Sequence, residues 1–100
     1  MAATITNKYS GTAGGRSSVI TVSQGEAVVL VMYATDGVLN QGLQAKIERK
    51  HGTLYLPVPA EQGSVAMLSP ERAEYVIRAP GDYYVNVPAT AETVAIDECR

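Results

Sequence analysis

The sequence predicts an all-β protein: a single β-sandwich, Ig-like or jelly-roll-like, of about eight short antiparallel strands. Three observations point there. The chain has six Tyr but no Phe and no Trp, so its core must come from Val, Ala, Leu, Ile and some of the Tyr. That composition, with its Thr, suits strands better than helices. Turn signals recur about every 8 to 12 residues between short apolar or alternating runs, as in sandwiches and small barrels. No run carries a convincing helical period. A chain of 100 residues makes one domain, and it should bury roughly 65% of its unfolded surface, enough for a core without metal or disulfide.

Residues 3–9, "ATITNKY", alternate weakly and fit a strand or an extended arm. Residues 10–18, "SGTAGGRSS", are rich in Gly and Ser without a period, and read as a flexible loop. No Lys follows and no helix opens after them, so the phosphate-cradling pattern is absent. Residues 1–17 are thus expected as a flexible N-terminal segment or arm, and residues 18–98 as the sandwich. "SVITV" (18–22) is a strand and "SQGE" (23–26) a turn. "AVVLVMYA" (27–34) is a strand apolar at every position. Asp36-Gly37 and Asn40-Gln41-Gly42 are turn signals.

"LQAKIERK" (43–50) alternates, with Leu43, Ala45 and Ile47 on one face and Gln44, Lys46 and Glu48 on the other. His51-Gly52 turns the chain into "TLYLPV" (53–58), completing a hairpin. "PAEQG" (59–63) is a loop and "SVAML" (64–68) a strand. Residues 69–79, "SPERAEYVIRA", open like a helix, with Ser69 as an N-cap and Pro70 at the first helical position. They continue like a strand, with Tyr75 and Ile77 on one face and Glu74, Val76 and Arg78 on the other. Adjacent Tyr, Val and Ile lose side-chain freedom in a helix, which favours the strand. Ala79-Pro80-Gly81-Asp82 predicts a type II turn, with Gly81 at the positive-φ corner. "YYVNV" (83–87) and "TVAIDE" (93–98) are the last strands.

The net charge is -2 and 18% of residues are charged. Nucleic-acid binders draw most of their affinity from phosphate contacts and carry a basic stripe. Here the densest basic cluster is Arg49-Lys50-His51, on a turn, so no nucleic-acid partner is expected. A single cysteine, Cys99, excludes an internal disulfide. No signal-peptide pattern opens the chain and no apolar run spans a bilayer, so a chain made and kept in a cytoplasm, without a membrane partner, is expected.

Chemistry is poorly served. Nucleophilic catalysis needs a base, and His51 is the only histidine, at a hairpin tip. Three or four converging metal ligands are not in view. No carboxylate pair is marked for glycoside hydrolysis. The chain is expected to be no enzyme and to need no cofactor.

Two features remain. The strand 27–34 is apolar on both faces, whereas a two-layer sandwich buries one. Its second face is covered either within the chain or by another chain. If by another chain, Val28, Leu30 and Met32 are the interface. Tyr84 faces away from Tyr83, Val85 and Val87, so one of the two tyrosines should be exposed. Tyr84 and Tyr9 are further interface candidates.

"GEAVVLVMYATDG", "LQAKIERKHGTLYLPV" and "APGDYYVNVPATAETVAIDE" together resemble the small β-sandwich virion proteins of tailed bacteriophages, among them capsid decoration (cement) proteins. The likeness spans about residues 18–98. It lies in a glycine turn into an apolar strand, a Lys/Arg hairpin and a Pro-Gly-Asp-Tyr turn. The resemblance implies a non-enzymatic viral structural protein, made in the host cytoplasm and carried in the virion. Such a protein binds capsid or other virion proteins and self-associates on the particle. The alternative is a receptor- or carbohydrate-binding module of a tail fibre, for which Tyr9, Tyr55 and Tyr84 are the available aromatics.

Overall fold

The computed structural model describes residues 4–35, 37–39, 42–59 and 65–100. The strands are β1 (Ile5–Gly11), β2 (Gly15–Arg16), β3 (Ile20–Val22), β4 (Val28–Ala34), β5 (Ala45–His51), β6 (Leu54–Pro57), β7 (Met67–Leu68), β8 (Glu74–Ile77), β9 (Gly81–Val87) and β10 (Val94–Cys99). No helix occurs among the described residues. The eight strands expected between residues 18 and 98 are all present, and two more precede them.

The strands form two antiparallel sheets. One has four strands in the order β1-β10-β4-β8. The other has six, but only four columns. β9 and β5 form its centre. β2 and β3 pair one after the other with the free side of β9, and β6 and β7 do the same on β5. The core between the sheets holds Ile20, Val22, Val28, Leu30, Met32, Ile47, Leu68, Ile77, Val85, Val87, Val94 and Ile96. Burying each of these side chains contributes roughly 1.5 to 3 kcal/mol.

β4 settles which of its faces is core. Val28, Leu30 and Met32 are buried to within 1% of complete, facing the other sheet. Val29, Val31 and Tyr33 form the outer face, half-buried or exposed. The expected interface through Val28, Leu30 and Met32 is therefore corrected, because those side chains are inaccessible in the single chain. The outer side chains are flanked within the sheet: Val29 lies between Cys99 and Val76, and Val31 between Asp97 and Glu74.

The N-terminal residues also differ from expectation. Residues 5–16 supply strands to both sheets rather than a loose arm. β1 runs along β10 with a register shift between Asn7 and Tyr9, so that Lys8 is the extra residue of a bulge. Past the bulge, Tyr9 pairs with Ile96 and packs against the core, its hydroxyl accepting the Gly14 N–H at 3.0 Å. Tyr9, an interface candidate from the sequence, is thus half-buried, with only part of its ring left to solvent.

The Gly-rich loop is tight for a steric reason. Gly14 has φ of 82°, and a Cβ there would lie 2.7 Å from the Ala89 backbone nitrogen and 3.0 Å from the Val87 carbonyl oxygen. Only glycine fits this crossing of two backbones. Beyond β2 the chain leaves the ladder, and Ser17 completes it. Its N–H donates to Val85 O, and its Oγ accepts the Val85 N–H at 3.0 Å while donating to Ser18 O.

Residues 69–79 are a strand preceded by a turn. The Ser69 and Arg72 backbones bond reciprocally at 3.0 Å, Ser69 Oγ also accepts the Arg72 N–H, and Pro70-Glu71 form the corner. β8 then buries Ile77 and half-buries Tyr75, with Glu74 and Val76 outward. The helix-like opening supplied a turn.

Candidate functional site

On the core face of β5, Ala45 and Ile47 are fully buried, but Arg49 and His51, next on that face, are exposed. The hairpin has run past the opposing sheet. Its return strand behaves alike. Leu54 pairs with His51 and Leu56 with Arg49, and these leucines are 58% and 43% exposed. Gly52, at φ of 62°, and Thr53 form the loop between them. Two leucines and two basic side chains thus share one face of a projecting hairpin.

That face forms one wall of an open cleft of about 1110 Å³. Leu56, Pro57, Val58 and Pro59 make the apolar side. Ala79, Gly81, Asp82 and Tyr83 make the opposite side, and Arg49, Lys50 and His51 line the rim. Lys50 alternates to the outward face of the hairpin, where its Nζ lies 5.7 Å from the Tyr55 ring centroid, and this leaves Arg49 as the cation of the cleft. Its one carboxylate, Asp82, accepts a hydrogen bond from Thr21 Oγ1 at 3.0 Å.

The cleft is held rigid from both sides. Arg49 Nη2 donates to Pro80 O at 2.7 Å, tying the hairpin to the β8–β9 link. Its guanidinium lies 5.8 Å from the Tyr83 ring centroid, and the Tyr83 hydroxyl donates to Ala79 O at 2.8 Å. This explains Gly81. It has φ of 150°, unlike the roughly +80° of a type II corner, and a Cβ there would lie 2.7 Å from Arg49 Nε. The expected type II corner is not formed, and a side chain at this position would have to displace the Arg49 guanidinium.

On the outward side of the hairpin, Tyr55 and Tyr84 meet edge-to-face, with centroids 5.2 Å apart. The Arg16 guanidinium stacks 3.8 Å over Tyr55, and Arg16 Nε bonds Glu48 at 2.9 Å. Tyr84 is half-buried and outward, while Tyr83 is buried, as the alternation predicts.

An ion network sits at the same end of the molecule. Glu98 points inward from β10, is 3% exposed, and pairs with Lys8 at 3.0 Å and with Arg100. Arg100 also pairs with Glu26 at 2.7 Å and donates to Thr21 O. Burial pushes the Glu98 carboxyl up, but hydrogen bonds and charge from Arg100 and Lys8 together outweigh it and hold the carboxyl below its ordinary range. Glu26 is lowered too, first by the Ser23 N–H and then by Arg100. On the outer face of the four-stranded sheet, the hydrogen bond to Asp97 raises the Tyr33 hydroxyl.

Among the described residues, no group of three or more His, Cys, Asp or Glu is placed to hold a metal ion. His51 stands at the cleft rim, and Cys99 is half-buried beside Ile5 and Val29. What the cleft offers is apolar contact beside the Arg49 guanidinium and the Asp82 carboxylate. Sequence reasoning singled out Arg49-Lys50-His51 but missed Leu54 and Leu56. The signal was present: on one face of β5, the run Ala45, Ile47, Arg49, His51 changes from apolar to charged where the core ends. No protein-family model matches the chain, and no curated protein or solved structure matches it either.

Proposed function

We propose that the chain is a non-enzymatic, protein-binding subunit of a larger particle, as its resemblance to phage decoration proteins suggests. One observation carries this reading: among the described residues, four of the seven exposed large apolar side chains, Leu54, Leu56, Ile5 and Val76, lie toward one end, while Val19, Tyr33 and Val38 lie elsewhere. The links 23–27 and 78–80 join the two sheets there. The projecting hairpin places Leu54 and Leu56 at that end. Ile5 and Val76 reach it through one row across the four-stranded sheet, Ile5–Cys99–Val29–Val76, and are 66% and 44% exposed. Exposed apolar groups collected in one region mark protein contact surfaces more often than scattered ones do.

A sugar-binding role on a tail fibre has less support. Tyr9 faces the core, and Arg16 already occupies a face of Tyr55. A tagged chain, produced in the cells that assemble the particle, should sediment with assembled particles through a density gradient. Leu54→Asp with Leu56→Asp should release it while its melting temperature holds. A folded chain that never sediments with particles, or that binds a defined sugar on a glycan array, removes the proposal.

A further inference from the structure

We propose that the outer end of β1, residues 4–7, is an acid-released strap: protonation of Glu98 and Glu26 frees it from β10 up to the bulge at Lys8, while the rest of the sandwich stays folded.

Three features carry it. The first is how little the strap buries. Thr4, Ile5, Thr6 and Asn7 are all exposed, and no residue of β1 is fully buried. Hydrophobic contact therefore contributes little to holding it. It is also the edge of its sheet, with β10 as its neighbour. Elements of this kind open locally at less cost than the whole fold.

The second feature is where the opening stops. The bulge interrupts the ladder at Lys8. From there on the chain is fastened independently of β10. Lys8 O accepts the Ser18 N–H at 2.9 Å, and Tyr9 packs against the core.

The third feature is what holds the strap. Thr4 and Arg100 exchange both backbone hydrogen bonds, and Asn7 Nδ2 donates to Asp97 at 2.9 Å. The remaining ties are ionic and converge on Glu98. Lys8 reaches it from β1, and Arg100 from the residue after β10. Arg100 is held in turn by Glu26, whose carboxylate also accepts the Ser23 N–H, and by the Thr21 carbonyl on β3. From β4 the neighbour of Glu98 is Leu30, which carries no charge, and Asp97 lies on the opposite face of β10. Protonation thus leaves Lys8 and Arg100, two cations, sharing a neutral buried carboxyl. Both carboxyls titrate below their ordinary value in the folded chain, so the ties are complete above about pH 4.5 and are lost as the pH falls through the folded values.

Native-state hydrogen exchange, read by NMR and corrected for the intrinsic rate at each pH, tests this within one strand. Thr4 and Arg100 form a doubly bonded pair, so Thr6 and Glu98, two residues along, do the same, whereas the Asp97 N–H points to Val31 of β4. Between about pH 6 and about pH 3, protection at Thr6 and Glu98 should fall at least tenfold relative to Asp97, since each tenfold difference in carboxyl acidity between closed and open forms changes the opening equilibrium tenfold. In Glu98→Gln the Thr6 amide should already be weakly protected at the higher pH and should lose its pH dependence. Arg100→Gln, which leaves Glu98 paired with Lys8, should move Thr6 the same way by a smaller factor, and it carries the test if Glu98→Gln does not fold.

A fall shared equally by Asp97 means that acid unfolds the whole sheet, and overturns the proposal. Thr6 protection that does not change with pH overturns it as well. So does a Glu98→Gln protein that keeps the parent's pH dependence at Thr6, or an Arg100→Gln protein whose Thr6 protection equals the parent's.

Discussion

Leu30→Ala tests the assignment of the β4 faces. Leu30 is fully buried in the middle of β4, paired with Glu98 on one side and Tyr75 on the other, and faces the six-stranded sheet. Truncating such a leucine removes apolar contact and leaves a cavity, at a cost of about 3 kcal/mol. A domain of this length loses roughly 4 to 8 °C in Tm per kcal/mol. The expected fall is therefore about 12 to 24 °C by calorimetry. Val29→Ala, one residue away on the half-buried outer face, should cost less than about 1 kcal/mol and only a few degrees. The charged variant Leu30→Asp should not fold at all, since an unpaired carboxylate would enter the core. Light scattering beside the melts separates stability from association. A Leu30→Ala protein that melts within about 5 °C of the parent, yet changes oligomeric state, would refute the face assignment and restore Val28, Leu30 and Met32 as an interface.

Ser17→Ala should cost about 2 kcal/mol, because the Val85 N–H then loses its partner inside the sheet. Hydrogen exchange at Val85 should accelerate beyond that of its neighbours, and unchanged protection there would contradict the bond. Gly14→Ala should cost about 2 kcal/mol or more, since the new methyl meets backbone and φ is positive; a melt within a degree of the parent would show that the crossing can relax. Glu98 and Glu26 have folded pKa values below their unfolded ones, so their contribution is complete above about pH 4.5 and is lost as the pH falls through the folded values. Urea melts should show the parent weakening below that pH and Glu98→Gln weakening with a shallower slope, while equal slopes would remove Glu98 from the acid response.

The strands from 18 to 98 were legible because their alternation is strong and their turns carry Gly, Pro and Asn. What escaped was set by contacts distant in sequence. Nothing near Gly14 signals that the backbone of residues 87–89 passes over it. Nothing near Lys8 signals a bulge that turns Tyr9 inward. For "AVVLVMYA" the alternation is the same on both faces, so only the opposing sheet decides that Val28, Leu30 and Met32 are core. The close approach of Arg49 to Gly81 joins residues more than thirty positions apart. The expected turns at Asp36, Asn40 and Gln41, and most of the loop 59–63, lie outside the described residues. The cleft was half-legible: Arg49-Lys50-His51 stood out as a basic cluster on a turn, but Leu56, which lines the cleft, and Leu54 beyond it were counted as ordinary strand residues.

The hairpin end combines features that pull in different directions for a free chain. Leu54 and Leu56 are exposed enough to drive association. Yet His51 pairs with Leu54, Arg49 pairs with Leu56, and Lys50 stands between them in sequence. Two copies meeting tip to tip would bring Arg49 of one toward Arg49 of the other before their leucines could be buried, and Pro57 removes a backbone donor from the edge strand β6. The ion network behind the tip ties β1, β10 and the 23–26 turn together through Lys8, Glu98, Arg100 and Glu26. The projecting hairpin thus stands on a base whose ends are cross-linked, and Arg49 fastens it to the β8–β9 link. A cleft held open in this way loses little freedom when it is filled, so more of its contact energy remains as affinity.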